Sequence, residues 1–110
     1  MVYGTVVWLE GEYDLSTVTS LSETIARAVA LDRSHLVIDL SGVQFMDAAT
    51  IGVIIRTYND LQLQFRSLAL RNPSRFARRI LELCGLTDLL DLASLDSRAA
   101  GKLRALEPLV

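Results

Sequence analysis

The sequence predicts an α/β domain with a mainly parallel sheet. Along the chain, short apolar or β-branched segments alternate with segments whose apolar residues recur at helical spacing. The segment "HLVIDL", residues 35–40, lacks the polar alternation of a half-exposed strand, which is typical of a strand buried in a parallel sheet. The chain has 110 residues, of which 51% are hydrophobic, so it can form one domain around one core.

The first unit is a strand followed by a helix. Residues 5–11, "TVVWLEG", are β-branched and aromatic and end in a turn residue, which predicts a strand. A helix follows through residues 16–30, with Asp14 or Ser16 as the expected N-cap. The apolar residues that recur at helical spacing are Leu15, Val18, Leu21, Ile25 and Val29.

The second unit begins with the strand 35–40, which we expect the "SG" turn at Ser41 and Gly42 to close. A second helix is predicted to start just after Asp47. Its apolar positions are Ile51, Ile54, Ile55, Tyr58 and Leu61.

The third unit is the strand "SLALRN", residues 67–72, and a helix with Asn72 as cap and Pro73 at its first position. Gly85 is the expected stop of this helix. Its predicted inward side consists of Phe76, Ile80, Leu83 and Cys84. A last short strand is predicted at 90–95 and a final helix at 96–106.

Composition excludes several classes of protein. Lys and Arg number 11 against 13 Asp and Glu, so charge does not suggest a nucleic-acid partner. No uncharged apolar run approaches the roughly 20 residues of a membrane helix, and the first residues do not resemble a signal peptide. The single cysteine excludes an internal disulfide and suggests no metal cluster. We therefore expect a cytoplasmic protein without membrane association.

The residues offer little for catalysis or for a cofactor. Neither GxxxxGK[ST] nor GxGxxG occurs, so no phosphate-binding glycine loop is predicted. The only histidine, His35, opens a buried strand, which favours a structural or surface role over that of a catalytic base. Asp88 and Asp91 are better explained as turn residues than as an acid–base pair. We predict that the chain is not an enzyme and holds no cofactor or metal.

Two further features allow two interpretations each. Cys84 is either a reactive thiol or a small buried hydrophobe, and the apolar side of its helix favours the buried one. Four arginines cluster near the third helix and either receive an anionic partner or form a solvated face, which we favour. They are Arg71, Arg75, Arg78 and Arg79.

Three stretches in order resemble the STAS domain family, which includes anti-sigma factor antagonists and the tails of sulfate transporters. They are "LEGEYDLSTVTSLSETI", "LVIDLSGVQFMDAATIGVII" and "LALRNPSRFARRILELCGLTDLL". The second resembles the family's most distinctive pattern, a D-L-S-G turn followed by F-x-D-S-S-G-x-G. The resemblance covers residues 6–90 and implies a single STAS domain over 1–110. It also implies a mostly parallel sheet with one antiparallel edge strand, packed against about four helices.

The resemblance implies binding rather than catalysis. Antagonists of this type bind an anti-sigma factor that is also a serine kinase, which frees a sigma factor and activates transcription in a bacterial stress response. The kinase phosphorylates the first serine after the junction aspartate, and the complex breaks. A phosphate adds about −1.5 to −2 charges, which can disrupt a contact surface through repulsion and desolvation.

This chain departs from the family at the acceptor. Asp47 matches the junction aspartate, but the two serines correspond to Ala48 and Ala49, and the next glycine to Thr50. Alanine has no hydroxyl, so the usual phosphorylation cannot occur there. Either the domain is permanently unphosphorylated and controlled by its expression or another input, which we favour, or Thr50 is a substitute acceptor. In the favoured case the Thr50 hydroxyl bonds a carbonyl one turn back.

Asp47 is expected both to cap its helix and to contact a partner, and Asp14 lies on the same edge with the same two roles. We predict a partner-binding surface on this edge of the domain. Its residues are Asp14, Ser16, Thr17, Asp47, Ala48, Ala49 and Thr50.

Two other functions fit a domain without the acceptor serine. One is a scaffold subunit that binds other STAS domains in a stress-signalling assembly. The other is a small-ligand or nucleotide sensor that binds an anion at the helix start. The negative charge of Asp47 opposes an anion there, so this second function is disfavoured.

Overall fold

The computed structural model of the chain describes residues 4–31 and 35–90. Its three strands form a parallel sheet in the order β1-β2-β3, so the α/β prediction is confirmed. The elements are β1 (Gly4–Tyr13), a 3-10 turn (Leu15–Thr17), α1 (Val18–Leu31), β2 (His35–Met46), α2 (Ala48–Leu63), β3 (Leu68–Arg71) and α3 (Arg75–Leu83). A short helical stretch at 87–90 follows α3.

The predicted chain end is only partly described. Leu90, the expected first residue of a last strand, lies in the helical stretch instead, while 91–95 and the helix expected at 96–106 lie outside the described residues. No strands pair in antiparallel fashion within 4–31 and 35–90, so the expected antiparallel edge strand is not among the strands described. Over the same residues, no helix has the length and apolar character to cross a membrane.

One hydrophobic core joins the sheet to the helices. The central strand β2 contributes Ile38 and Leu40, and both are fully buried. From α1, Leu21 and Ile25 pack into the same core because residues four apart share one side of a helix. From α2, Ile54 is fully buried against them. Each such side chain contributes about 1.5–3 kcal/mol through its burial.

Ser41 and Gly42 do not end β2, which corrects the expected turn. Trp8 pairs with Asp39 and Glu10 pairs with Gly42, so β2 advances three residues while β1 advances two. The extra residue is a β-bulge, after which the pairing resumes. The sequence signal is that of a turn because "SG" is a common turn dipeptide, but β1 continues alongside and supplies the hydrogen-bond partners.

Gly42 is required where β2 passes close to the backbone of β1. A Cβ atom at this position would lie 2.8 Å from Cγ of Glu10 and 3.2 Å from the carbonyl oxygen of Leu9. The second of these atoms is backbone and cannot move aside without disturbing the ladder.

Asp39, next to the bulge, is the centre of a buried polar cluster. Its side chain is only 4% exposed, and its Oδ2 accepts a hydrogen bond from Nε of Arg71 at 2.8 Å and one from Nδ2 of Asn72 at 3.3 Å. Its Oδ1 accepts from the backbone N–H of Ser41 at 2.9 Å and from the Ser41 hydroxyl at 2.6 Å. Arg71 also stacks over the ring of Trp8, 5.5 Å from its centroid. Burial of this carboxyl opposes ionisation, but the hydrogen bonds from Ser41, Arg71 and Asn72 outweigh it and lower the pKa of Asp39.

The start of α3 also differs from the prediction. Ser74 is the N-cap: its hydroxyl oxygen accepts from the backbone N–H of Ala77 at 3.1 Å and donates to the carbonyl of Val43 at 2.6 Å. Asn72 is not the cap because its amide bonds Asp39, and its backbone has a φ of +49°. Pro73 therefore precedes the cap instead of opening the helix.

The end of α3 is as predicted, but its inward side is not. Gly85 has a φ of +73°, and the N–H of Leu86 donates to the carbonyl of Leu81 at 2.9 Å, which closes the helix. The buried residues are Ala77 and Leu81, with Phe76 and Ile80 half-buried beside them. Leu83 and Cys84 are exposed, because the face that α3 buries is the one with Ala77 and Leu81. The prediction of a buried Cys84 was wrong.

Gly42→Ala should lower the free energy of unfolding by about 1–3 kcal/mol, because the new methyl group overlaps the β1 backbone. Gly52→Ala in α2 is the matched control, since its Cβ would meet only Nη1 of Arg56 at 3.5 Å. The control should be neutral or more stable by up to about 1 kcal/mol, because alanine favours helix. Urea denaturation at pH 7 measures both, and equal effects would contradict the close approach at Gly42.

Asp39→Asn should cost about 2–4 kcal/mol at pH 7, because it removes the buried negative charge that pairs with Arg71. A folded-state pKa below that of the unfolded chain stabilises the fold above the unfolded pKa, about 3.9, and this contribution disappears as pH falls through the folded pKa. The stability difference between wild type and variant should therefore shrink between pH 5 and pH 3. Urea titrations at several pH values measure it, with exposed Asp60→Asn as control; a constant difference would refute the assignment.

Candidate functional site

The candidate site forms where β1 and β2 end side by side. Tyr13 pairs with Met46, and the backbone N–H of Asp47 donates to the carbonyl of Tyr13 at 3.2 Å. Because β1 and β2 are parallel, both strands end at the same edge of the sheet, and a helical segment follows each of them there. Asp14 and Asp47 are the first residues after the two strands. They therefore lie on the same edge of the sheet, as predicted.

Asp47 caps α2, which confirms that prediction. Its backbone is extended, and its Oδ1 accepts a hydrogen bond from the backbone N–H of Thr50 at 3.1 Å. Its own carbonyl accepts from the N–H of Ile51 at 3.1 Å, the first bond of the helix. One carboxylate oxygen therefore satisfies an N–H that the first turn would otherwise leave unpaired.

Asp14, not Ser16, caps the helical segment after β1. Its Oδ1 accepts from the backbone N–H of Ser16 at 2.9 Å and from the Ser16 hydroxyl at 2.5 Å. The Thr17 hydroxyl oxygen accepts from the backbone N–H of Asp14 at 3.0 Å, which completes a capping box. The hydrogen bond from the Ser16 side chain is the main cause that lowers the pKa of Asp14, so this exposed carboxylate is fully ionised near neutral pH.

The three residues after Asp47 differ sharply in exposure. Ala48 is exposed and Ala49 half-buried. Thr50 was expected among the exposed residues of the surface, but it is fully buried, so that part of the prediction was wrong. The Thr50 hydroxyl lies 3.3 Å from Oδ1 of Asp47 and donates to it. This carboxylate takes the place of the backbone carbonyl that we expected as acceptor.

Leu15 is a residue of this edge that the sequence pattern misplaced. It was assigned to the apolar side of the first helix, but it is 76% exposed. The cause is the 3-10 turn Leu15–Thr17, which has three residues per turn and therefore shifts Leu15 off the face that α1 buries. The capping box of Asp14 and Thr17 is the sequence signal for the start of this turn.

The other candidate groups lie on β2, β3 and α3. His35 opens β2 at the opposite end of the sheet, where its Nδ1 lies 2.9 Å from the donating N–H of Ser67 and 2.6 Å from the Ser67 hydroxyl. Of the arginine cluster, Arg71 is committed to Asp39, while Arg75, Arg78 and Arg79 are exposed on α3. In the part of the chain that the structure describes, no three His, Cys, Asp or Glu side chains could share a metal ion.

An open groove of about 320 Å³ lies between α1 and α2. Ile25, Val53 and Leu61 supply apolar lining, and Arg56 and Asp60 supply charge. None of the predicted surface residues lines it, so it is a feature separate from the strand ends.

Comparisons with known proteins agree with this architecture. A family model for the STAS domain matches residues 2–100. The anti-sigma-B factor antagonist of Bacillus subtilis (strain 168) is 30% identical over 86 residues, which make up 78% of this chain and 78% of that protein.

Two solved structures of SpoIIAA share the fold. The anti-sigma factor antagonist SpoIIAA in its unphosphorylated form matches with a TM-score of 0.69 and 21% identity, over 92% of this chain and 91% of that one. The Bacillus cell fate determinant SpoIIAA in its phosphorylated form matches with a TM-score of 0.62 and 24% identity, over 81% and 83%. At these identities the likeness is one of fold.

Asp47→Ala should destabilise the domain by about 0.5–2 kcal/mol, because the first turn of α2 loses its cap. Asp47→Asn should recover most of the loss, since an asparagine oxygen accepts the same N–H bond. Thermal unfolding followed by circular dichroism compares the two. If both variants lost the same stability, the charge of Asp47 rather than its capping bond would hold the helix start.

Proposed function

The chain belongs to the STAS domain family, and on that premise we propose that it acts as an anti-sigma factor antagonist. It binds an anti-sigma factor through the edge formed by the ends of β1 and β2. The anti-sigma factor then releases the sigma factor that it held. The function is one of binding, without a catalytic step in this chain. Its control does not use the family's usual phosphate acceptor.

The observation that carries this proposal is the exposed Ala48 beside an intact Asp47 cap. The helix start keeps the aspartate, its capping bond and an exposed first position, but Ala48 has no hydroxyl there. A surface with this geometry remains able to contact a partner. A kinase that reaches the position finds a methyl group and no nucleophile.

Thr50 is a poor substitute acceptor. Its side chain is fully buried, with no exposed surface for a kinase to reach. Phosphoryl transfer requires the attacking oxygen to approach the γ-phosphorus in line with the leaving oxygen. For Thr50 this approach would require the first turn of α2 to unwind, at the cost of the cap and of the core contacts below it.

The chemistry of the edge supports a partner with a basic or mixed surface. Asp14 and Asp47 follow strands that end side by side, and the exposed side chain of Leu15 adds apolar area next to Asp14. Complementary charge on a partner would speed its approach and fix its orientation, while the apolar contact would contribute to affinity.

A scaffold role within an assembly of STAS domains is the second candidate, because apolar side chains are exposed at the other end of α2. Leu63 is 82% exposed and Phe65 is 96% exposed, and Phe65 has a φ of +56° that an aromatic residue rarely adopts. Light scattering after size exclusion distinguishes the two functions. A monomer or dimer supports the antagonist, and a defined higher assembly supports the scaffold.

Ala48→Asp should weaken binding to the anti-sigma factor by about tenfold or more, because it places an unpaired charge in the contact surface. Exposed Ala26→Asp in α1 adds the same charge away from the edge and is the matched control. Calorimetric titration of the anti-sigma factors encoded in the same genome measures both variants. Equal affinities for the two variants would remove Ala48 from the interface, and no binding of wild type to any of these factors would refute the function.

A further inference from the structure

We propose that Ser16 is the phosphate acceptor of this chain. The inference rests on the proposed function and names the regulation of the same surface. The hydroxyl that the α2 start lacks is supplied by the neighbouring 3-10 turn, on the same edge of the sheet. This acceptor is the control input that replaces the usual one.

Exposure selects Ser16 among the hydroxyl groups of the predicted surface. That surface contains three of them, on Ser16, Thr17 and Thr50. Thr50 is fully buried. Thr17 is half-buried and bonds twice to the backbone of Asp14, donating to its carbonyl at 2.9 Å and accepting from its N–H at 3.0 Å. Ser16 is exposed.

The Ser16 hydroxyl is also oriented for attack. It donates to Oδ1 of Asp14 at 2.5 Å, and the backbone N–H of Ser16 donates to the same oxygen, which holds the side chain in place. Because the hydroxyl hydrogen points to the carboxylate, the lone pairs of Oγ face away from it, toward solvent and an approaching phosphate donor.

The transfer requires a serine kinase and Mg·ATP. Oγ of Ser16 attacks the γ-phosphorus, an O–P bond forms, and the bond between the γ-phosphorus and the bridging oxygen breaks to release ADP. The hydroxyl proton passes to a base of the kinase. No oxidation or reduction is involved.

Phosphate at Ser16 would change the contact surface in two ways. It adds about −1.5 to −2 charges directly beside the carboxylate of Asp14, on the end of the sheet that also carries Asp47. It also replaces the hydroxyl that now donates to Asp14 with a group that repels it, so Asp14 must turn away and its capping bond is lost. Both changes weaken an interface that is complementary to the unmodified edge.

Ser41 provides a matched control inside the same chain. Its hydroxyl donates to Oδ1 of Asp39 at 2.6 Å and its N–H donates to the same atom, so its local geometry copies that of Ser16. Ser41 is exposed, but it lies at the β2 bulge and does not belong to the predicted partner-binding surface. A kinase that recognises the edge should select Ser16 over Ser41.

The experiment uses the full chain and an anti-sigma factor kinase shown by titration to bind it. Wild type, Ser16→Ala, Ser41→Ala and Ala48→Ser are incubated with the kinase and Mg·ATP, and tandem mass spectrometry locates the phosphate. We expect phosphate on residue 16 of wild type and of Ser41→Ala, none at this site in Ser16→Ala, and an additional site at residue 48 in Ala48→Ser. The phosphorylated wild type should bind the kinase about tenfold or more weakly than the unmodified chain.

Phosphate on Thr50 or Ser41 in place of Ser16, no phosphate on wild type, or unchanged affinity after phosphorylation of Ser16 overturns the inference. Failure of the proposed function gives a different result, because then no anti-sigma factor binds the unmodified chain. Binding without phosphate on Ser16 refutes this inference alone.

Discussion

The parallel pairing of β1 with β2 is the constraint on which the candidate site depends. It extends from Gly4 opposite His35 to Tyr13 opposite Met46, so the two strands finish together. Strands of unequal length reach this common end only because β2 carries bulges, and Gly42 allows β1 to pass close to the first of them. The buried cluster around Asp39 holds that bulge and ties it to β3.

The common end of the strands gives the edge its chemistry. Each strand is followed by an aspartate that caps a helical segment, and the two caps lie at the same end of the strand pair. The caps stabilise the helix starts whether or not a partner is present. On the proposed function, the surface is thus formed before binding, and little conformational entropy is lost on association. Ala48 is exposed at the start of α2, and the exposed hydroxyl of Ser16 bonds the other cap, Asp14.

Local chemistry allowed part of this structure to be predicted from the sequence. The Asp47 cap and the Gly85 stop depend on residues within one turn, and both are confirmed. Features set by distant partners were missed. Ser41 and Gly42 look like a turn until β1 lies beside them, and Asn72 looks like a cap until its amide meets Asp39, 33 residues earlier. The burial of Thr50 and the exposure of Leu15 and Cys84 depend on helix register, which apolar spacing fixes only to within a residue or two.

The central claim is that the unmodified edge at the ends of β1 and β2 is the binding surface. Titration of the isotopically labelled chain with an anti-sigma factor, followed by NMR of the backbone amides, tests it most directly. The account predicts that the largest shift changes fall in residues 14–17 and 47–50, with little change in α3 or near Phe65. Changes concentrated in α3 or around Phe65, with the amides of 14–17 and 47–50 unaffected, would contradict it.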